Sequence, residues 1–182
     1  MNYATIKNCD IANGPGVRVS LFVSGCTHRC KGCFNEIAWD FNYGEPFTQQ
    51  TIDEILHMLE PSHVNGLTLL GGEPFEPTNQ IAILDLLKQM KRKYPDKSVW
   101  AFSGYLFDKD ILAGKLGNQS ITNAILDFVD VLVDGPFIEE RKDLMLRFRG
   151  SSNQRIIDVK KSLSDNQVVL WDDWQGSGRG IK

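Results

Sequence analysis

The sequence has no long hydrophobic run and no excess of charge of either sign. Its apolar stretches fall short of the roughly 20 residues that a transmembrane helix needs, and residues 1–10 lack the apolar segment of a secretory leader. Twenty Lys and Arg residues oppose 23 Asp and Glu residues, which gives a net charge of −3. This balance provides no global positive field, so we expect a cytoplasmic protein that binds neither nucleic acid nor a membrane.

Nucleotide-binding motifs and internal repeats are absent as well. Neither a Walker loop nor a Gly-x-Gly-x-x-Gly sequence follows any strand-like segment. The 182 residues, of which 42% are hydrophobic and 24% charged, have the composition of an average globular protein. Since a domain usually holds roughly 100–200 residues, we predict a single domain over residues 1–174 and a flexible, glycine-rich tail over residues 175–182.

Hydrophobic periodicity predicts alternating strands and helices. One helix is predicted over residues 52–59, with a capping box formed by Thr51 and Glu54, and a second over residues 83–94. Shorter helices are predicted over residues 121–126 and 156–163. Strand-like runs occur at residues 17–23, 66–70, 98–102, 128–133 and 167–171. This alternation is typical of an α/β fold with a mainly parallel sheet.

Three of the four cysteines lie within one short segment, Cys26-Thr27-His28-Arg29-Cys30-Lys31-Gly32-Cys33. A structural zinc ion needs four protein ligands, whereas a [4Fe–4S] cluster held by three thiolates keeps one iron open for an outside ligand. His28 and Cys9 are candidates for a fourth ligand, but neither has zinc-finger spacing. The segment therefore favours an iron–sulfur cluster on Cys26, Cys30 and Cys33, with zinc and redox-active thiols as the alternatives.

A second motif follows the next strand-like run, where residues 66–70 lead into Gly71-Gly72-Glu73-Pro74. The two glycines remove the Cβ atoms that would keep a ligand away from the backbone. Glu73 adds a carboxylate at the same end of the sheet as the cysteines, which suits a ligand that carries an ammonium group. A plain strand-to-helix turn would explain this motif alone equally well, so its weight comes from the cysteine segment in the preceding βα unit.

Together the two motifs resemble the signature of the radical S-adenosylmethionine (SAM) superfamily. Its members carry Cys-x3-Cys-x2-Cys after the first strand and a Gly-Gly-Glu type of loop after the second. The resemblance implies that the three cysteines bind a [4Fe–4S] cluster whose fourth iron is chelated by SAM, and that Gly71, Gly72 and Glu73 receive the methionyl ammonium. Many members have an aromatic residue before the third cysteine. Here Gly32 takes that place and Phe34 follows Cys33, so we expect the backbone from Gly32 to Phe34 to contact adenine.

Within the superfamily, the sequence resembles the activating enzymes of anaerobic ribonucleoside-triphosphate reductase. Four segments carry this resemblance, and together they span most of the chain. They lie within residues 13–18, 21–26, 32–39 and 131–154. In that family SAM is cleaved reductively to methionine and a 5′-deoxyadenosyl radical, which removes a hydrogen atom from a glycine of the partner reductase. The implied partners are the glycyl radical subunit of the reductase and a low-potential electron donor such as flavodoxin or ferredoxin.

Two other classes of function remain open from the sequence. One is a small radical SAM enzyme that acts on a free metabolite, similar to the deazapurine synthases. The other is a zinc or iron–sulfur interaction module without enzymatic activity. A colourless zinc protein would lack the broad brown absorbance of an iron–sulfur cluster, so anaerobic reconstitution separates the second class from the enzymes.

The resemblance also implies the fold and further site residues. Since 182 residues fall short of the roughly 250 that eight βα units need, we expect an incomplete (βα) barrel of about five to six units with an open mouth. Ser103 is predicted to bind the ribose of SAM, and Asp134 to bind the nucleoside or position the incoming glycine, although both residues also suit ordinary turns. Arg18 is expected either to neutralise the cluster and SAM or to face the surface. Partner contacts or turn and helix-start roles are expected for Arg147, Arg149 and Arg155.

Overall fold

The computed structural model describes residues 1–172, and its strands form one seven-stranded sheet. The strands are β1 (Asn2–Asp10), β2 (Val17–Val23), β3 (Glu45–Pro46), β4 (Val64–Gly71), β5 (Ser98–Ser103), β6 (Val131–Asp134) and β7 (Arg155–Asp158). They lie side by side in the order β3-β1-β2-β4-β5-β6-β7. The helices are α1 (Gln49–Met58), α2 (Pro77–Lys93), α3 (Gln119–Leu126) and α4 (Val159–Asp165).

The centre of the sheet is parallel and its flanks are antiparallel. Strands β2, β4, β5 and β6 pair in parallel, while β1, β3 and β7 pair antiparallel to their neighbours. The predicted α/β fold with a mainly parallel sheet is therefore confirmed. The number of βα units is smaller than the five to six expected, because only four strands are parallel. Strands β3 and β7 lie at opposite ends of the strand order, so a barrel is not confirmed.

Two predicted segments need correction. The run at residues 167–171 forms no strand and contributes a single bridge, between Leu170 and Ile157. Leu170 is 61% exposed, so this run lacks the buried side chains that stabilise a strand. Residue Ile156, which we assigned to a helix, lies in β7, and α4 begins only after Asp158 caps it by accepting a hydrogen bond from the Lys161 amide at 3.0 Å.

The two long helices that hydrophobic periodicity predicts are confirmed, but α1 begins earlier than predicted. Helix α1 buries Ile52 and Ile55, but its cap lies one turn earlier than predicted. The backbone N–H of Thr48 donates to Thr51 Oγ1 at 3.2 Å, so Thr51 closes the capping box and does not open it. Helix α2 begins with Pro77, which suits the first helical position because that residue needs no amide hydrogen.

The sheet has two faces with different coverings. The large hydrophobic core packs the helices against one face, where Leu21, Leu69 and Leu132 are fully buried. The other face holds a smaller cluster built on Trp100, together with Phe148 and other residues that connections contribute. This second face is the one that a barrel would enclose, and here it is covered by loops instead of by further strands.

Arg18 lies under one of those loops and matches neither sequence expectation. It is 1% exposed, and its guanidinium donates to Thr68 Oγ1 at 2.7 Å and to the Leu67 carbonyl at 2.8 Å. Burial lowers the pKa of Arg18 to about 10. Arg18 pairs in register with Gly66, at the start of the strands, so it lies at the opposite end of the sheet from the cysteine segment. Its role is to satisfy buried polar groups beneath the loop that precedes β2.

Within the described residues, no helix is both long and apolar enough to cross a bilayer. The tail predicted over residues 175–182 lies outside the described residues.

Candidate functional site

A cavity of about 540 Å³ lies at the carboxyl ends of the four parallel strands. Parallel α/β sheets bind their ligands at this edge because the connecting loops converge there. All predicted site residues except Asp134 line the cavity, namely Cys26, Cys30, Gly32, Cys33, Phe34, Gly71, Gly72, Glu73 and Ser103. The fold therefore brings the cysteine segment and the Gly-Gly-Glu loop together, as the two motifs predicted.

The cysteine loop, residues 26–33, presents three free thiols to this cavity. A turn closes its end, where the Cys33 amide donates to the Cys30 carbonyl at 3.1 Å, and the Asn35 amide donates to Cys33 Sγ at 3.4 Å. Burial raises the pKa of Cys26 to about 11 and also raises the pKa of Cys30. These thiols are therefore protonated in the free protein at neutral pH, and a bound metal group must displace their protons.

The chemistry of the donor set fits an iron–sulfur cluster, because three free thiols line one cavity. Among the described residues, no set of three His, Cys, Asp or Glu side chains is arranged to hold one metal ion. A [4Fe–4S] cluster uses a different iron atom for each thiolate, so its ligands do not need to converge on one point. Cys9 does not line the cavity and is exposed near the end of β1.

Both glycines of the Gly-Gly-Glu loop are required by contacts within the protein. Gly71 has a φ of +109°, and a Cβ at Gly72 would lie 2.5 Å from the Gly25 carbonyl oxygen. The backbones of the two loops are hydrogen bonded there, since the Glu73 amide donates to the Gly25 carbonyl at 2.8 Å. The missing Cβ of Gly72 therefore lets the Gly-Gly-Glu loop pack against the start of the cysteine loop, a reason that the sequence did not reveal.

The Glu73 carboxylate is directed into the protein and is 1% exposed. One oxygen accepts from the Phe75 amide at 2.9 Å and from Ser103 Oγ at 3.0 Å, and the other accepts from the Gly104 amide at 2.7 Å. His28 Nε2 lies 3.2 Å from the second oxygen. Burial lowers the pKa of His28, but the adjacent Glu73 carboxylate outweighs burial and leaves that pKa raised. Glu73 therefore joins the loops that follow β2, β4 and β5.

A second buried carboxylate, Glu76, was not predicted from the sequence. It is 4% exposed, and its Oε1 accepts from the Thr27 amide at 2.8 Å and from Thr27 Oγ1 at 2.5 Å. Tyr105 Oη lies 3.5 Å from the same oxygen. The only signal in the sequence is the position of Glu76 directly before Pro77, where a helix start is expected. That signal predicts a cap and does not predict a contact with the cysteine loop.

Ser103, Gly32 and Phe34, the predicted adenosyl contacts, all line the cavity. Ser103 is 5% exposed; besides donating to Glu73, its hydroxyl accepts from the Tyr105 amide at 3.0 Å. Gly32 has a φ of +69°, so its backbone conformation favours glycine. Phe34 lines the cavity and is 83% exposed. The adenine and ribose contacts themselves stay predictions.

Asp134 is the one predicted site residue that the structure keeps away from the cavity wall. It is fully buried, and Arg155 pairs with it through Nε at 2.9 Å and through a terminal nitrogen at 2.5 Å. The Phe107 amide also donates to Asp134, at 2.8 Å. Arg155 therefore holds the antiparallel pair β6 and β7 together, and the predicted catalytic role of Asp134 stays a prediction.

The far wall of the cavity comes from residues 135–154, which connect β6 to β7. Arg149 lines the cavity and donates to the Gln154 carbonyl at 2.7 Å, within a turn. Leu144 also lines it and is 87% exposed, and the adjacent Met145 is 88% exposed. Phe34 and Leu144 thus place exposed apolar side chains on the cavity lining.

Comparison with known proteins assigns this fold and site to a class. Residues 12–157 match the family described as 4Fe-4S single cluster domain, and this match covers most of the chain. The chain thus carries an iron–sulfur domain of the single-cluster type, with the three-cysteine loop inside the matched region.

Individual relatives narrow the class further. A protein of Vibrio cholerae is 43% identical over 158 residues, which cover 86% of this chain and 97% of the relative. A protein of Escherichia coli K12 is 40% identical over 156 residues, covering 85% and 96%, and one of Enterobacteria phage T4 is 40% identical over 156 residues, covering 86% and 93%. All three are named anaerobic ribonucleoside-triphosphate reductase-activating protein. This chain belongs to that family of activating proteins.

Proposed function

We propose that this chain is a radical SAM activase that generates a glycyl radical on anaerobic ribonucleoside-triphosphate reductase. The observation that carries the proposal is one cavity of about 540 Å³ lined both by three free thiols and by a Gly-Gly-Glu loop. When bound, a [4Fe–4S] cluster and SAM supply reductive cleavage of a carbon–sulfur bond and the removal of a hydrogen atom from a glycine of the reductase. The relatives fit this activity and do not fit the free-metabolite alternative.

The cysteine loop holds the cluster through Cys26, Cys30 and Cys33. Its backbone is fixed on two sides before any ligand binds, because the Cys26 amide donates to the Trp39 carbonyl at 3.3 Å and the Gly25 carbonyl accepts from the Glu73 amide. A loop that is ordered in advance loses less conformational entropy when it takes up the cluster. The three side chains supply thiolates, and the vacancy for SAM follows from the lack of a fourth protein ligand.

The Gly-Gly-Glu loop receives the methionyl ammonium of SAM. Because both Glu73 oxygens already accept hydrogen bonds within the protein, the carboxylate acts on the ammonium mainly through its negative charge. That charge is screened little in a buried position. Gly32 to Phe34 and Ser103 are the proposed contacts for adenine and ribose.

The reductase closes the cavity. Leu144 and Phe34 line the cavity with exposed side chains, and Met145, next to Leu144 in the sequence, is exposed as well. A protein segment that covers them also excludes water from the site. The proposed fold is the incomplete, open barrel of radical SAM type. A low-potential donor such as flavodoxin or ferredoxin completes the proposal by supplying the electron.

Electron paramagnetic resonance tests this function directly. Reduced activase, SAM and the reductase are mixed without oxygen, and a glycine-centred doublet is expected on the reductase. The doublet should vanish when the radical glycine of the reductase is changed to alanine, or when Cys30→Ala activase is used. If no doublet forms while a free metabolite drives stoichiometric SAM cleavage, the metabolite enzyme is the correct assignment.

A further inference from the structure

The strongest unassigned feature of the site is the contact between Glu76 and the cysteine loop. Glu76 Oε1 accepts two hydrogen bonds from one residue, Thr27, through its amide at 2.8 Å and its hydroxyl at 2.5 Å. Thr27 directly follows Cys26, so the peptide that bears the accepted N–H begins at the Cys26 carbonyl. The carboxylate therefore constrains the backbone at the first cysteine of the loop.

Among the described residues, no cation forms an ion pair with Glu76, and the charge of Glu76 contributes to the raised pKa of His28. The groups that contact Oε1 are the Thr27 amide, the Thr27 hydroxyl and the hydroxyl of Tyr105, which are all neutral donors. Glu76 also occupies the N-cap position of α2, a 17-residue helix whose dipole favours a negative charge at that end, but its side chain accepts no hydrogen bond from the helix. A carboxylate that is only 4% exposed is screened little by water, so its field extends to the cysteine loop.

We infer that Glu76 is a positioning residue for the cluster, which fixes the backbone at Cys26 and also lowers the reduction potential of the bound [4Fe–4S] group by its buried charge. The inference rests on the proposed function, because it needs the cluster on the three cysteines. Reduction adds an electron to the cluster, and a nearby fixed negative charge disfavours that addition. A low potential is what reductive cleavage of SAM demands, so the two effects of Glu76 serve the same reaction.

Two substitutions separate the positioning effect from the charge effect. Glu76→Gln retains an oxygen that accepts from the Thr27 amide and removes the charge. Glu76→Ala removes both. Glu36→Gln is the matched control, because Glu36 is an exposed carboxylate that follows the same loop in the sequence. Thr27→Val keeps the amide and removes the hydroxyl, and so tests the same contact from the loop side.

The measurements are the midpoint potential, from a redox titration followed by electron paramagnetic resonance, and the rate at which a chelator bleaches the reconstituted cluster. Glu76→Gln should form the cluster, shift its midpoint to a higher potential and lose it nearly as slowly as the wild type. Glu76→Ala should show the same shift and lose the cluster about tenfold faster, the effect expected for lost hydrogen bonds to a charged group. Thr27→Val should leave the midpoint nearly unchanged and lose the cluster at an intermediate rate.

Each negative result would refute a different part of the inference. If Glu76→Gln has the midpoint potential of the Glu36→Gln control, the charge effect is refuted. If Glu76→Ala and Thr27→Val retain the cluster as long as the wild type does, the positioning effect is refuted. Should Glu76→Ala fail to fold, as judged by circular dichroism, Glu76→Gln and Thr27→Val still decide both points. A wild-type chain that binds no cluster would instead overturn the proposed function.

Discussion

Replacing Glu73 by glutamine changes one atom and should destabilise the cofactor-free protein. In the wild type, Oε1 accepts from the Phe75 amide and from Ser103 Oγ, while Oε2 accepts from the Gly104 amide. A glutamine side chain has one oxygen and one NH₂ group. In either orientation its NH₂ group faces a backbone N–H, of Phe75 or of Gly104, and that buried donor loses its acceptor.

The cost follows from the burial of these groups. A buried donor without a partner costs about 1–3 kcal/mol, and each remaining hydrogen bond weakens when its acceptor loses the charge. Since Glu73 is 1% exposed, water cannot replace the lost acceptor. We therefore expect Glu73→Gln to lower the free energy of unfolding by about 2–5 kcal/mol.

Urea unfolding of the cofactor-free protein, followed by circular dichroism, measures this difference. Glu54→Gln is the control, because Glu54 is exposed on α1 and its replacement should change stability by no more than about 0.5 kcal/mol. The reasoning is refuted if Glu73→Gln is as stable as this control. A stable Glu73→Gln protein that binds the cluster but has lost SAM affinity would show that the negative charge of Glu73 holds the ammonium.

Three further predictions concern cluster ligation, loop packing and docking. Iron analysis after reconstitution should show that alanine at any one cysteine of the 26–33 loop removes most of the cluster, whereas Cys9→Ala retains it; full iron in a loop variant would contradict the ligand assignment. Gly72→Ala places a Cβ 2.5 Å from the carbonyl oxygen of Gly25, so unfolding should become easier by about 1–3 kcal/mol, and an unchanged urea midpoint would disprove the close contact. The double change Leu144→Ser and Met145→Ser should weaken reductase binding in a pull-down assay while iron content stays constant; unchanged binding would exclude these side chains from the interface.

The central strands were predictable because their residues are buried on both faces. Strand β2 has the same bounds as the predicted run at residues 17–23. Strand β5 is one residue longer than the predicted run at residues 98–102. Strand β1 has a mostly exposed or half-buried pattern, so its sequence carries no clear alternation. It forms a strand because its backbone pairs with the edge of β2. That edge exists only in the assembled sheet.

The composition of the site was predictable, but the orientation of its charged side chains was not. The thiols and the glycines were found because their spacing reflects local chain geometry. The directions of Glu73 and Asp134 depend on partners that are distant in the sequence, since Gly104 and Arg155 lie 31 and 21 residues further along the chain. Such partners meet only when strands β4, β5, β6 and β7 are in register. The motifs therefore predict which side chains belong to the site, whereas tertiary contacts determine the direction in which those side chains point.

Two of the buried carboxylates, Glu73 and Glu76, explain how an open sheet keeps three loops in fixed relative positions. Glu73 connects the loops after β4 and β5, and Glu76 connects the loop after β4 to the cysteine loop after β2. Apolar contacts are not directional and would let these loops slide, whereas a carboxylate accepts several hydrogen bonds at defined angles. Burying two carboxylates is unfavourable, and the hydrogen bonds that they accept offset that cost. The Glu73 charge remains in place at the cavity wall, where it favours a ligand that carries positive charge.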